Sequence, residues 1–440
     1  MPNPTATTAR PQTCPHCTAP LDPDPRFTVW CPGCEWNLVP EQEAAEEAAK
    51  DAKAAARERA AAERTERLFQ EVAAGRADTT RQDWLAASAV ATAVHLSTAA
   101  LAGWGIWLLV TGNTPLRCLG AAVLAVVFLL RPRLGRAPRG TGVLTRTEAP
   151  ALYGLTDRLA EQLGAPKVDV IRVDGEFNAS MGVVGLRRTS VLTIGLPLWE
   201  AMDDQQRIAM LGHELAHRIN GDHRSGLWLG SAIRTLAHWY DLATPRRRAG
   251  GGGVGAMNLL FIFADYISNA VLHVVTWLLL RVLLLLHRLT ARAGQQAEYR
   301  ADELAARAAS SEAASGMLTA LLFDEAVGTA VLRVRARIHS RPRSTRREPA
   351  SAPDTDLLWQ ELRDHLAGLP ALERDRLVRR SRAGGHCVNA THPPTHLRLA
   401  LLAGRPPVPA AVTAAPAESA AIDAELAPHR ARTAHTFLAG

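Results

Sequence analysis

Residues 84–110 carry a single ionisable side chain, His95. A run of that length and polarity constrains the fold more than any other feature of the chain. As a helix it is long enough to cross the roughly 30 Å hydrocarbon core of a bilayer. Tryptophans sit at its ends, where interfacial anchors belong. After the turn TGNTP, residues 116–130 form a second, shorter apolar run, which spans if Arg117 snorkels. Together the two predict a transmembrane hairpin at 84–130. The near absence of charge argues against a buried globular helix pair.

Four arginines follow in RPRLGRAPRG, from Arg131. The positive-inside tendency puts that side in the cytoplasm, and a hairpin returns the chain to the side it left. The N-terminal segment and everything just after residue 131 are therefore expected to share the cytoplasm. The formal net charge is +7, carried mainly by arginine beside apolar runs. That placement favours anionic lipid head groups over a nucleic-acid partner. The start of the chain has no apolar core of a secretory signal, so none is expected.

The stretch CPHCTAPLDPDPRFTVWCPGC places Cys14, Cys17, Cys31 and Cys34 in two C-P-x-C knuckles. Two such knuckles aim four thiolates at one ion, so residues 1–40 are expected to form a zinc ribbon ending in a strand-like RFTVW. Cys118 and Cys387 have no matching partners, which excludes a disulfide scaffold. The ribbon could serve an unidentified protein partner, but His16 and Trp36 do not decide this. Residues 41–83 begin with a nearly uninterrupted Ala, Glu, Arg and Lys composition, which predicts a solvated helical linker with balanced charge.

A folded unit is expected from about Leu144. A helix stops at Gly164, KVDVIRVD alternates like a strand, and FNASMGVVGLRRTSVLTIG reads as two more strands around a turn. The next helix has Asp203 and Gln206 in a capping-box arrangement and ends near Asn220 and Gly221. It contains HELAHRINGDH, from His213. His213 and His217 are one turn apart, so both imidazoles leave one face. Such a pair binds zinc, and Glu214 beside it can act as general base. Downstream, EYRAD offers Glu298 and Asp302 on one helical face. Glu298 suits a third zinc ligand, and Asp302 suits a carboxylate that fixes a ligand histidine's tautomer. His223 reads as a capping or supporting residue.

These residues resemble the HtpX and CAAX-prenyl-protease family of membrane zinc metalloproteases. The likeness rests on HELAH, EYRAD, FNASMG, IGLPLWE and the late segment THPPTHLR, and covers about residues 85–403. The HtpX-like branch is the better match, because an N-terminal hairpin precedes the protease domain and the spans are too few for the other branch. The resemblance implies an α-helical integral membrane protein with an α+β gluzincin (zincin-like) protease domain at 131–403, preceded here by a small N-terminal zinc ribbon. It implies endopeptidase activity on polypeptide substrates, a cytoplasm-facing site and a multi-pass location in the cell membrane. A role in protein quality control is one setting it allows. Two zinc ions are expected, one catalytic and one structural. His392 or Arg398 in THPPTHLR could donate to the oxyanion; His396 competes, and spacing does not rank the three.

Glu298 must return to the side of His213, so the crossings between them are even in number. A second membrane hairpin at about 225–286 satisfies this, giving four spans; PRRRAGGGGVG would then lie outside, against the positive-inside tendency. A hairpin that only dips would give two. Residues 333–353 are an Arg-rich loop departing from the family pattern, and residues 404–440 an Ala/Pro-rich tail expected to be flexible. The alternative function is a zinc-ribbon membrane adaptor or sensor with an inactive protease-like domain. It predicts one bound zinc rather than two.

Overall fold

The computed structural model describes residues 13–40, 52–75, 81–132, 134–219, 227–244, 256–340, 352–383 and 392–439. His223, the basic stretch around Arg247, Cys387 and residues 341–351 of the Arg-rich loop lie outside them.

The peptidase-like body is built on a four-stranded sheet in the order β1-β2-β4-β3. These strands are β1 (Val143–Leu144), β2 (Val170–Asp174), β3 (Ala179–Val184) and β4 (Thr189–Gly195). β2 runs parallel to β4, while β1 and β3 are antiparallel to their neighbours. In β2, Ile171 and Val173 face the core while Arg172 is exposed, whereas β4 is buried on both faces. Helix α4 (Pro150–Leu163) lies against this sheet and ends at Gly164 in the left-handed conformation, as its sequence predicts. Tyr153 of α4 ties the first two strands: its hydroxyl donates to Leu144 O and accepts from Ile171 N. Gly195 closes β4 where the backbone is crowded, since a Cβ there would meet Glu176 O at 1.8 Å.

After the short α5 (Leu196–Glu200), the expected capping box starts α6 (Asp204–Ile219). Gln206 N donates to Asp203 Oδ1, and Asp203 N donates to Gln206 Oε1. The inner face of α6 crosses α8 (Ala256–Ala309). Gly212 faces Ala305 and Ala308 at the crossing, so small residues on both sides let the backbones approach. Helix α8 is continuous over 54 residues, about 80 Å. The apolar run before 286 and the Glu298 turn, separate elements in the sequence reading, are thus one rigid rod.

A second, smaller apolar cluster joins α2 (Arg81–Thr111), α7 (Leu227–Ala243) and α8 through Ala87, Ala91, Leu229, Ala232, Leu236 and Leu286. α3 (Thr114–Leu130) folds back on α2 after Asn113, whose side chain caps it. Gly105 and Gly120 permit this close pairing: a Cβ on Gly120 would meet Gly105 O at 2.8 Å. His95, the one ionisable residue of the apolar run, contacts Trp228 O at 3.1 Å. Trp239 Nε1 donates to Leu130 O, so α7 bridges α2 and the end of α3. Among the described residues two helices are long and apolar enough to cross a membrane, Gln82–Thr111 and Ala270–Ala309; α3 is a shorter apolar helix.

Three expectations are corrected. Residues 333–339 of the expected Arg-rich loop are instead the last turns of helix α10 (Asp324–His339), which follows α9 (Ser311–Ala320). The RFTVW segment forms no strand; the ribbon consists of turns with one isolated bridge between Thr13 and Pro20. The Ala/Pro-rich tail is not flexible: α14 (Pro416–Ala439) packs Ile422, Leu426 and Ala434 into the main core. Composition hid this because alanine and proline dominate it, while its few large apolar residues, Ile422 and Leu426 among them, fall on one helical face. Both carboxylate oxygens of Glu425 cap the start of α4, accepting from Ala151 N and Leu152 N. The linker is helical as expected, as α1 (Ala52–Ala73), but it is not merely solvated. Leu68 is buried, Phe69 meets Tyr299 edge-on, and Thr65 and Glu71 bond Gln295 and Arg292 of α8.

The ribbon docks on α11 (Ala352–Ala367) and α12 (Ala371–Ala383). Arg376 donates to Leu38 O, Arg379 to Pro32 O, and Arg26 to Gly368 O. Arg379 lies 5.3 Å from the Trp30 ring centre, and Phe27 stacks on His365 at 6.3 Å. Replacing Cys31 and Cys34 together with serine should remove the ribbon's metal and free this face. Limited proteolysis within α12 should accelerate on the order of tenfold. Unchanged cleavage would show that docking does not depend on the knuckles.

His365 makes the docking sensitive to acid. Burial holds its pKa below the ordinary value, and Arg333 and Arg26 act in the same direction against Glu361. Arg333 Nη1 donates to His365 Nδ1 at 3.0 Å, which needs the neutral ring. With a depressed folded-state pKa, the contribution is present above the usual histidine range near about 6.5 and is lost as pH falls below it. Proteolysis of α12 should therefore quicken between pH 7.5 and 5.5, and His365→Phe should flatten that dependence. An identical pH profile in the variant would remove His365 from the account.

Candidate metal centre and cleft

His213 and His217 leave the buried face of α6, one turn apart, toward Glu298 on α8. The two Nε2 atoms are 3.2 Å apart, and the Glu298 oxygens lie 3.5 Å from His213 Nε2 and 3.7 Å from His217 Nε2. Tetrahedral ligands at about 2.05 Å from zinc stand about 3.3 Å from one another. The three donors fit that spacing, and all are buried.

Asp302, fully buried, reaches His213 Nδ1 at 3.0 Å. Arg398 of α13 (Thr395–Ala403) grips the same carboxylate from the other side, Nε to Oδ2 at 2.8 Å and Nη2 to Oδ1 at 2.6 Å. Burial opposes a proton on His213, but Asp302 and Glu298 outweigh it and raise the pKa to about 9. The locus favours positive charge, as a cation site must.

Glu214, also buried, lines an open cleft beside His213. The cleft's apolar wall is Phe177, Leu198, Met210, Met317 and Leu321, and its other side is His392 to Thr395 with Arg398. Among the described residues β3 has no strand on its outer edge, and Ala179 at its start lines the cleft with Asn178.

The three THPPTHLR residues separate clearly in space. His392 stands with Nδ1 2.5 Å from Glu298 Oε2 and is one-third exposed to the cleft. His396 is turned to Ser381 O at 3.0 Å. Arg398 lines the cleft, but its fork is engaged by Asp302. Sequence reading missed the Arg398–Asp302 pair, because 96 residues separate the partners. It also missed the apolar wall, whose residues come from separate elements and carry no motif.

The four ribbon thiols form the second donor group among the described residues. Cys14 and Cys34 sulfurs are 3.5 Å apart, as are those of Cys17 and Cys31; ligands of a tetrahedral Zn–S4 site stand about 3.8 Å apart. Backbone N–H groups of Cys34 and Gly33 lower the Cys31 pKa to about 7. Cys34 is pushed up to about 12: Trp36 N–H favours its thiolate, but burial and the neighbouring sulfurs prevail. Four such thiolates coexist only around a cation.

Two imidazoles on an HExxH helix with a carboxylate from a second helix define the zinc-metallopeptidase class of site. The chain matches the model of peptidase family M48 over residues 147–405 and belongs to that family. It is similar to Protease HtpX of Xanthomonas oryzae pv. oryzae, 26% identical over 146 residues, 30% of this chain and 49% of that protein. Protease HtpX of Xanthomonas euvesicatoria pv. vesicatoria is 26% identical over 191 residues, 37% of this chain and 65% of that one. A Protease HtpX homolog of Methanothermobacter thermautotrophicus is 22% identical over 147 residues, 33% and 57% of the two chains. The chain thus spans about half to two thirds of the length of these curated relatives. No solved structure matches it. The ribbon, α1 to α3 and α14 lie outside the matched family region.

Proposed function

We propose that this chain is a membrane-embedded zinc endopeptidase that hydrolyses membrane or cytoplasmic polypeptides. The observation that carries the reading is the convergence of His213, His217 and Glu298 within 4.8 Å of one another, with Glu214 beside them in a cleft flanked by a free sheet edge. The three converging residues hold the metal. When bound, zinc supplies Lewis acidity at the scissile carbonyl. Glu214 takes a proton from the attacking water and passes it to the leaving amine. Asp302 accepts from His213 Nδ1–H, which leaves Nε2 unprotonated toward the metal. His392, at the cleft, donates to the developing oxyanion. An extended substrate pairs with the edge of β3 and seats an apolar side chain against Met210 and Leu198.

In this reading the ribbon zinc is structural, and residues 13–40 are a docked module of the peptidase rather than a free arm. α2, α3 and the apolar turns of α8 before Arg288 enter the bilayer. Parity requires a return crossing between α6 and α8, and α7 is the described helix of that interval. The arginines after Leu130 and the reduced thiols favour a cytoplasmic face for ribbon and cleft. Purified chain should cleave casein and lose that activity on Glu214→Gln. Equal cleavage by the variant would sink the role of Glu214, and no cleavage by the wild type would leave the adaptor reading.

A further inference from the structure

We propose that the β3–β4 hairpin tip is a membrane-surface anchor, with Leu186 inserted into the interface of an anionic bilayer and Arg187, Arg188, Arg136 and Arg139 on lipid phosphates. The proposal rests on the reading that α2 and α3 enter the bilayer.

Leu186 is 80% exposed, the highest value among the large exposed apolar side chains. Among the described residues nearly all the others lie on α2, α3, α7 and α8, and only Ile219 and Leu332 join Leu186 outside those helices. One exposed leucine is ordinary on a soluble surface. Its position is what matters. Gly185 N donates to Leu134 O at 2.8 Å, and Val184 packs where a Cβ on Gly135 would sit. Leu134 is four residues beyond Leu130, the last residue of α3, so the contact lies within about 14 Å of that helix end. The tip is thus tied to the segment by which the apolar hairpin leaves the bilayer.

The turn geometry turns these side chains outward. Arg188 N bonds Gly185 O at 3.1 Å, which leaves Leu186 and Arg187 at the centre of a tight turn. Gly185 and Arg188 both have positive φ, 69° and 55°. Arg136, Arg139, Arg187 and Arg188 are exposed, and neither residues 131–140 nor 184–189 contain an acid. Arg131 lies 4.0 Å over the Phe128 ring, its charge beside the last apolar turn of α3. An apolar wedge ringed by arginines at the foot of an apolar hairpin matches an anionic lipid surface better than a protein partner. Because β3 leads from this tip to the cleft, the anchor would hold the cleft's edge strand at a set height above the bilayer.

The test uses the full chain in detergent, in phosphatidylcholine nanodiscs, and in nanodiscs of equal phosphatidylcholine and phosphatidylglycerol. Hydroxyl-radical labelling with mass spectrometry reads Leu186 together with the exposed apolar residues of α2 and α8. In anionic discs Leu186 labelling should fall by on the order of tenfold relative to detergent, and less in neutral discs. Replacing Arg187 and Arg188 with glutamate should restore labelling in anionic discs, while casein cleavage in detergent stays unchanged. Leu186 labelled as strongly in anionic discs as in detergent, with α2 and α8 protected, would overturn the anchor alone. Failure of Trp104, Trp107 and Trp277 to become protected in any disc would instead overturn the membrane reading beneath it. Protection of Leu186 already complete in detergent would assign the tip to a second copy of the chain, and the proposal would fall.

Discussion

Glu214→Gln is expected to lower peptide hydrolysis by about 100- to 10,000-fold, the range for removing a positioned general base. The glutamine keeps the shape of the side chain but cannot take the water's proton. The loss should fall in kcat with KM nearly unchanged, since Glu214 lines the cleft beside its apolar wall without forming that wall. Metal content should match that of the wild type, because Glu214 belongs to neither group of converging donors, His213, His217 and Glu298 or the four cysteines. A variant that loses one zinc along with activity would make Glu214 a structural residue of the site. His213→Ala supplies the contrast: it should lose both the activity and one zinc.

Arg398→Met should destabilise the peptidase body by about 3–5 kcal/mol, the cost of leaving a buried charge without its partner. Asp302 is fully buried and Arg398 nearly so, and two hydrogen bonds of 2.8 and 2.6 Å join them. Without the guanidinium, Asp302 keeps only His213 as a close cation-forming neighbour among the described residues. Arg398→Lys should cost less but more than a surface change, because an ammonium cannot reproduce the two-pronged contact. Adding Asp302→Asn to Arg398→Met should recover part of the loss by removing the stranded charge. Thermal unfolding of the metal-loaded chain measures this series. Equal stability of Arg398→Met and wild type would mean that the pair is solvated and that His213 is oriented by other means.

The local parts of this protein were legible from residue order. Periodicity and capping located α6, and alternation located β2, because these signals act over a few residues along one backbone. The spacing of His213 and His217 put both rings on one helical face for the same reason. The cysteine knuckles likewise predicted four converging sulfurs. The identity of Glu298 and Asp302 was readable as a pair on one turn, and the structure brings both to His213.

What the sequence left open depended on contacts between distant segments. Ranking His392, His396 and Arg398 required knowing that His396 turns to Ser381, that Arg398 is held by Asp302 and lies 3.8 Å from Glu298, and that His392 stands 2.5 Å from Glu298. The tail after Gly404 looked flexible because it is rich in Ala and Pro, yet Ile422, Leu426 and Ala434 enter the main core and Glu425 caps the start of α4. The ribbon's place was equally hidden, since Arg376 and Arg379 are ordinary surface arginines until Leu38 O and Pro32 O arrive beside them. Sequence by itself determined the elements whose signals are local, the helix carrying HELAH and the cysteine knuckles among them, but not the turns at RFTVW or the packed helix of the tail. Only the tertiary structure decided which side chain meets which, because burial and pairing are settled by neighbours that lie hundreds of residues apart along the chain.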